Sequence, residues 1–246
     1  MGGDVVDYDG FLLHIKKYFN IIRICDYKNE KGVCLLRHDV DHDIDMAIEM
    51  GKIENNLGIH STFFMLHTSE YYGEKDFINK CKVLTNLGHE VGLHNNILTF
   101  CLENKKLPIS IFRREIRYLR GNGIRIYGTS SHGDALCRKL DFRNYEIFKG
   151  CVPKYKKNKM EQIDNIKLHS INLLDYGLYE AYFLQRDYYL SDSGKGKWHF
   201  WIDEDDEWNG RIRDKEDVDF YKFIKDLKGD SVIQVATHPK YWRDNI

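Results

Sequence analysis

Four times in this chain a short apolar run stops abruptly at an aspartate or a histidine, and helix-patterned stretches separate the runs. Residues 33–36 lead into Arg37-His38-Asp39-Val40-Asp41, and residues 89–93 end at His94. Residues 124–130 end at Ser131-His132-Gly133, and residues 231–236 end at Thr237-His238-Pro239. A further run, 59–66, is rich in Thr, Phe and Ile and also reads as a strand. Between them, Phe11, Leu12, Ile15 and Phe19 recur at helical spacing. So do the apolar residues of 44–56, 77–87, 108–119 and 218–227, with Gly58, Gly88, Gly121 and Gly229 as helix stops. Strand and helix in alternation imply parallel strands joined by right-handed crossovers. In such folds the C-terminal strand ends gather on one face, where active sites form. Asp39, Asp41, His94, His132 and His238 are thus expected to converge although they are far apart in the chain. From about residue 139 to 214 the alternation breaks down into short pieces rich in Tyr, Trp, Lys and Asp, which reads as an irregular insertion of extended loops or small strands decorating the core, among them 188–192 and 198–201. No fixed repeat, low-complexity tract or flexible linker divides the chain, so residues 1–246 are read as one domain.

The first strand end carries the most specific chemistry. Side chains alternate along a strand, so Arg37, Asp39 and Asp41 share one face, and His38 and Val40 take the other. Two carboxylates on one face need a metal, a cationic neighbour or a shared proton to coexist. The bland alternative is an acidic loop capping the next helix, since Asp43 and Asp45 stand at its start. Carboxylate with imidazole is, however, the ligand set of a catalytic zinc site with an open position for water. A second carboxylate can take a proton from that water, and a histidine opposite can protonate a leaving group. His14, His60, His67, His89, His169 and His199 are read as structural or surface residues.

Other classes are disfavoured. The formal net charge is −1, which argues against the basic footprint of a nucleic-acid partner. No apolar run reaches membrane-spanning length. The N-terminus lacks a basic and then apolar signal segment, and Val6 stands where myristoylation of Gly2 would call for Ser or Thr. The six cysteines form no C-x-x-C pair and read as reduced thiols of a cytoplasmic protein. There is no P-loop, dinucleotide fingerprint or serine nucleophile elbow.

Two motifs resemble the polysaccharide deacetylase (NodB-homology, carbohydrate esterase family four-like) superfamily. Arg37-His38-Asp39-Val40-Asp41 is similar to its Asp-x-Asp form, and Gly88-His89-Glu90-Val91-Gly92-Leu93-His94 to its metal motif. Thr237-His238-Pro239 resembles the late motif that holds the catalytic acid. The resemblance runs from about Val33 to Trp242 and points to a divergent Arg-His-Asp-Val-Asp branch associated with surface-polysaccharide gene clusters. It implies an α/β fold, a distorted (β/α) barrel of the NodB-homology type. It implies Asp39 as catalytic base, Asp41 and His94 as metal ligands and His238 as catalytic acid. The family's second metal-motif histidine is replaced by Leu98, and its Arg-Pro-Pro-Tyr-Gly segment by Tyr127-Gly128-Thr129-Ser130-Ser131-His132-Gly133-Asp134.

A catalytic zinc site usually has three protein ligands, so a third is sought. His38 is near but faces away from Asp39 and Asp41, and His42 is available only if the strand has ended. His132, beside two small residues at another strand end, is the expected third ligand, with zinc the expected metal. The expected activity is metal-dependent removal of an N-acyl, most simply N-acetyl, group from an amino sugar of a surface polysaccharide or its precursor. Hydrolysis of another C–N amide bond, or carbohydrate binding without catalysis, are the alternatives. Arg37, Asp192 and Trp198 are expected to contact the carbohydrate, with Trp201 and Trp208 in the same aromatic region.

Overall fold

The computed structural model describes residues 7–152, 160–194, 197–202 and 219–246. The first helix, α1 (Tyr8–Lys16), buries Tyr8, Phe11, Leu12 and Ile15, one stripe at i, i+3, i+4 and i+7. Asp7 caps it, accepting a hydrogen bond from the Gly10 amide at 2.9 Å. The strands and helices then follow as β1 (Asn20–Ile22), β2 (Val33–Val40), α2 (Ile44–Asn56), β3 (Thr62–Leu66), α3 (Phe77–Asn86), β4 (Glu90–Asn95), α4 (Ile97–Asn104), α5 (Pro108–Gly121), β5 (Gly128–Ser131) and α6 (Ala135–Lys139). The second half adds β6 (Gln162–Ile163), β7 (Ile166–Lys167), β8 (Tyr179–Glu180), β9 (Tyr188–Gly194), β10 (Lys197–Ile202), α7 (Phe220–Asp226) and β11 (Val232–Thr237).

The fold is mixed α/β. Its main sheet has the order β10-β9-β11-β2-β3-β4-β5-β8, with β1 also on β2, and curls into a half-barrel. Every pairing in it is parallel except β10 with β9. The crossovers bring successive strands side by side from β2 to β5, and the chain then returns to place β11 on the other side of β2. That puts β2, the strand of the aspartates, at the centre. All eight of its residues are buried, which explains its unbroken apolar start.

Alternation along β2 sorts its side chains between two environments. Cys34 and Leu36 pack with α1, α2 and α7 through Phe11, Met50 and Ile224. Val33 and Leu35 face the inside of the curl, where they meet Phe64, Ala181 and Val232. Arg37, Asp39 and Asp41 continue this inner row towards the C-terminal rim. On β4, Gly92 belongs to the same inner surface, and an added Cβ would lie 2.5 Å from the Phe64 ring and 3.0 Å from the Gly128 carbonyl oxygen. Gly92→Ala should therefore force the Phe64 ring or the backbone aside and cost about 1–3 kcal/mol. Urea denaturation checks this, and an unchanged midpoint would mean that the ring relaxes freely.

Two features differ from the sequence reading. Helix α4 was not expected, and its Ile97, Leu98 and Cys101 are fully buried, so Leu98 is a core residue. The stretch read as an irregular insertion contributes β9 to the main sheet, in parallel register with β11 at Ile233↔Tyr188. The six cysteines are all free thiols. Among the described residues no helix is long and apolar enough to cross a membrane.

Candidate metal centre

Parallel register lines up the strand ends that the sequence singled out. Leu66 of β3 pairs with His94 of β4, and His94 with Ser130 of β5, so His132 emerges next to His94. Thr237 of β11 pairs with His38 of β2, which sets His238 beside Asp39. After Asp41 the chain turns sharply at Asp43, whose φ of 58° lies in the left-handed region that Asp tolerates better than most residues. Its side chain caps α2 by accepting from the Met46 amide at 3.1 Å. The capping role expected for this acidic loop thus falls on Asp43, leaving Asp39 and Asp41 to the inner face.

Asp41, His94 and His132 each offer a ligand atom, and these atoms lie within 4.8 Å of one another. Asp41 Oδ1 is 3.2 Å from His94 Nε2 and 3.8 Å from His132 Nε2. A tetrahedral site with bonds of roughly 2.0–2.1 Å places its ligand atoms about 3.4 Å apart, so the spacing fits. The proton positions are equally telling. His94 Nδ1 lies 2.8 Å from the Ser130 carbonyl oxygen, which can only accept, so Nδ1 carries the proton. Nε2 is then the ring nitrogen that faces Asp41, and once deprotonated it offers its lone pair to a divalent cation. Asp41 Oδ1 is itself buried, facing the imidazoles of His94 and His132. The donor chemistry therefore fits a divalent ion, with the Ser130 carbonyl orienting His94 as such ligands usually are.

The electrostatics point the same way. Burial alone would raise the Asp41 pKa, but the hydrogen bond and charge of His94, with His238 and His132, hold it well below the usual carboxylate range. Burial lowers His132 to about 4, reinforced by the charge of His94, so it is neutral and has a lone pair at pH 7. Burial also works against His94 protonation, yet Asp39 and Asp41 raise its pKa above the ordinary value of 6.5. A divalent ion such as zinc would therefore have to displace a proton from His94 to bind there. Its apparent affinity should fall about tenfold per pH unit once pH drops below that raised value. Competition titrations at pH 8, 7 and 6 check this, and a flat profile would remove His94 from the ligand set.

Two further groups flank the triad. Asp39 is 3 % exposed, with Oδ2 3.2 Å from Arg37 Nη2 and Oδ1 accepting from Ser130 Oγ at 3.4 Å. On the other side, His238 Nδ1 donates to Asp192 Oδ1 at 2.5 Å, and its Nε2 lies 3.9 Å from Asp41 Oδ2. Asp192 Oδ2 also accepts from the His238 amide and from Trp242 Nε1, both at 3.1 Å. Burial disfavours a charged His238, but the bond and charge of Asp192 outweigh it and raise its pKa. Asp39, Asp41, His94, His132 and His238 all open onto one cleft of about 660 Å³. No protein-family model, curated protein or solved structure matches the chain.

The residues expected to contact the carbohydrate are placed elsewhere. Arg37 has no exposed surface: it lies under Asp39, donates to Ser130 Oγ at 2.6 Å and to the Tyr189 hydroxyl at 2.9 Å, and stacks 4.6 Å from the Tyr182 ring centroid. Asp192, 1 % exposed, sits beneath His238. Trp198 stacks on Phe11 and packs against the tilted Phe220 ring in the cluster between sheet and helices, because apolar neighbours are available to it there. The Trp201 side chain and Trp208 lie outside the described residues. The rival ligands are also placed. His38 contacts Glu54 at 2.8 Å and Thr237 Oγ1 at 2.6 Å on the outer face, while His42 is exposed at the rim.

Asn144 escaped the sequence reading. It is fully buried, and its Nδ2 donates to the His132 carbonyl at 2.9 Å and to Asn96 Oδ1 at 3.0 Å. Its Oδ1 accepts from the Thr99 amide at 3.1 Å. Asn144 thereby clamps the loop of His132 to α4. An isolated Asn between charged and aromatic residues carries no periodic signal, so only the tertiary contacts reveal it.

Proposed function

We propose that this protein is a metal-dependent hydrolase that removes an N-acyl group, most simply N-acetyl, from an amino sugar. The supporting observation is the facing of Asp41 Oδ1 and His94 Nε2 at 3.2 Å, with His132 beside them and one carboxylate and one imidazole at the flanks. Asp41, His94 and His132 would hold a divalent ion, with zinc the best match to an Asp-His-His set, and it would supply Lewis-acid activation of water and of the substrate carbonyl. Asp39 then takes the proton of the attacking water, and the Arg37 guanidinium at 3.2 Å holds its carboxylate in place. His238 presents Nε2–H to the departing amine, because Asp192 holds the other ring nitrogen. The sugar as substrate follows from the motif resemblance and from the tyrosines along the cleft, among them Tyr145, Tyr189 and Tyr241. A distorted barrel of the NodB-homology type belongs to the same reading, as does a cytoplasmic setting for the six free thiols.

The dyad of His238 and Asp192 makes a pH test possible. Activity requires protonated His238, so it should decline as pH rises through the raised pKa of that ring. Asp192→Asn removes the main stabiliser of the imidazolium, and the alkaline limb of kcat should move to lower pH. An acetate-release assay on N-acetyl sugars reads both the activity and the limb. Turnover with an unmoved limb in Asp192→Asn would take the acid role away from His238, and no release from any N-acetyl sugar by zinc-loaded protein would contradict the deacetylase reading.

A further inference from the structure

The cleft also carries charge that amide hydrolysis of a neutral sugar does not require. Arg138, Arg143 and Lys240 line it, and the carboxylates among its described lining residues are Asp39 and Asp41. Asp39 is already paired with buried Arg37. Asp41 faces His94 and His132 through Oδ1, and Lys240 Nζ stands 3.6 Å from its Oδ2. Asp39 and Asp41 thus already have Arg37 and Lys240 as cationic neighbours, and Arg138 adds a further positive charge to the lining before any divalent ion is added. The chain as a whole has a formal net charge of −1, so this concentration is local and not the by-product of a basic protein.

The placement of two of these cations matters. Arg138 lies exposed on α6, the short helix that begins three residues after His132. That helix is pinned by Asp134, which accepts from the Cys137 amide at 2.8 Å, and by buried Cys137. Lys240 follows β11 on the other side of the half-barrel, since β2, β3 and β4 separate β11 from β5. An ion on Asp41 would set a second positive charge beside Lys240, and like charges sharing one carboxylate repel. An incoming anion relieves that repulsion, whereas a neutral sugar does not.

We propose that the substrate bears an oxyanion, a phosphoryl or carboxylate group, received in this cleft by Arg138 and Lys240. The proposal rests on the cleft being the substrate site of the hydrolase. A charge-assisted hydrogen bond contributes about 1.5–3 kcal/mol, which corresponds to roughly tenfold or more in affinity. The test is calorimetry on zinc-loaded protein with three probes: N-acetylglucosamine, its 1-phosphate and the corresponding N-acetylated uronic acid. At least one anionic probe should bind about tenfold or more tightly than the neutral sugar, and the tighter of the two identifies the oxyanion. Arg138→Gln, an exposed change, and Lys240→Gln should each remove most of that preference while zinc content stays the same. Equal binding of all three probes would overturn the proposal, as would a preference that survives both substitutions. Acetate release measured in parallel separates the two readings: full release without anion preference removes this inference and leaves the hydrolase standing.

Discussion

Replacing Asp39 by Asn is expected to lower kcat by roughly 10²–10⁴-fold while zinc stays bound, because in the proposed mechanism it removes the general base and no ligand. Asn is the informative substitution on physical grounds. Arg37 is completely buried, and Asp39 is its ion-pair partner at 3.2 Å. Asn keeps a hydrogen-bond acceptor there, and Arg37 retains Ser130 and Tyr189. Asp39→Ala would leave the guanidinium without an acceptor on that side, and breaking a buried pair costs about 3–5 kcal/mol, so loss of activity could then be loss of fold. Steady-state acetate release, read beside zinc content and a melting curve, separates the two. Wild-type turnover in Asp39→Asn would end the assignment of the base.

His132→Ala is expected to weaken zinc binding by more than about 100-fold. Structural zinc sites with four ligands bind with about 10–16 kcal/mol, so one ligand's share is about 3 kcal/mol. The fold should tolerate the change, because the His132 side chain is partly exposed, at 20 %, and its loop is held through backbone bonds to Asn95 and Asn144. His42→Ala, an exposed rim position, should leave zinc affinity unchanged. His38→Ala should behave differently again. It would strip buried Glu54 of its contact at 2.8 Å and destabilise the fold without touching the metal cluster. Competition titration with a zinc chelator ranks the three variants, and equal affinities for His132→Ala and wild type would remove His132 from the site.

Much of this arrangement was legible because its signals are local. The apolar start of β2, the period-two split between Arg37, Asp39, Asp41 and His38, Val40, and the Asp43 cap can each be read from adjacent residues. Parallel topology then brings the strand ends together whatever the sequence distance, and the register of β4, β5 and β11 does so here. The remainder depends on tertiary contacts with no local trace. Asp192 meets His238 across 46 residues, from a strand whose inner row is polar and so lacks the usual apolar alternation. Arg37 sits at a strand end and looks available to a substrate, but Tyr182 and Tyr189 close over it from the irregular second half of the chain. Trp198 has a ring suited to sugar stacking, yet Phe11 and Phe220 compete for it and win because burial of so large an apolar face is favourable. Helix α4 went unseen because strand-like and helix-like patterns cannot be told apart in so short an apolar run.

The central claim is that Asp41, His94 and His132 hold one divalent ion. A crystal soaked in zinc, with data collected on both sides of the zinc absorption edge, tests it most directly. The account predicts one anomalous peak in the cleft, at about 2.0–2.2 Å from a carboxylate oxygen of Asp41 and from Nε2 of both His94 and His132. An empty cleft after soaking, or an ion held there with His132 beyond coordinating reach, would contradict it.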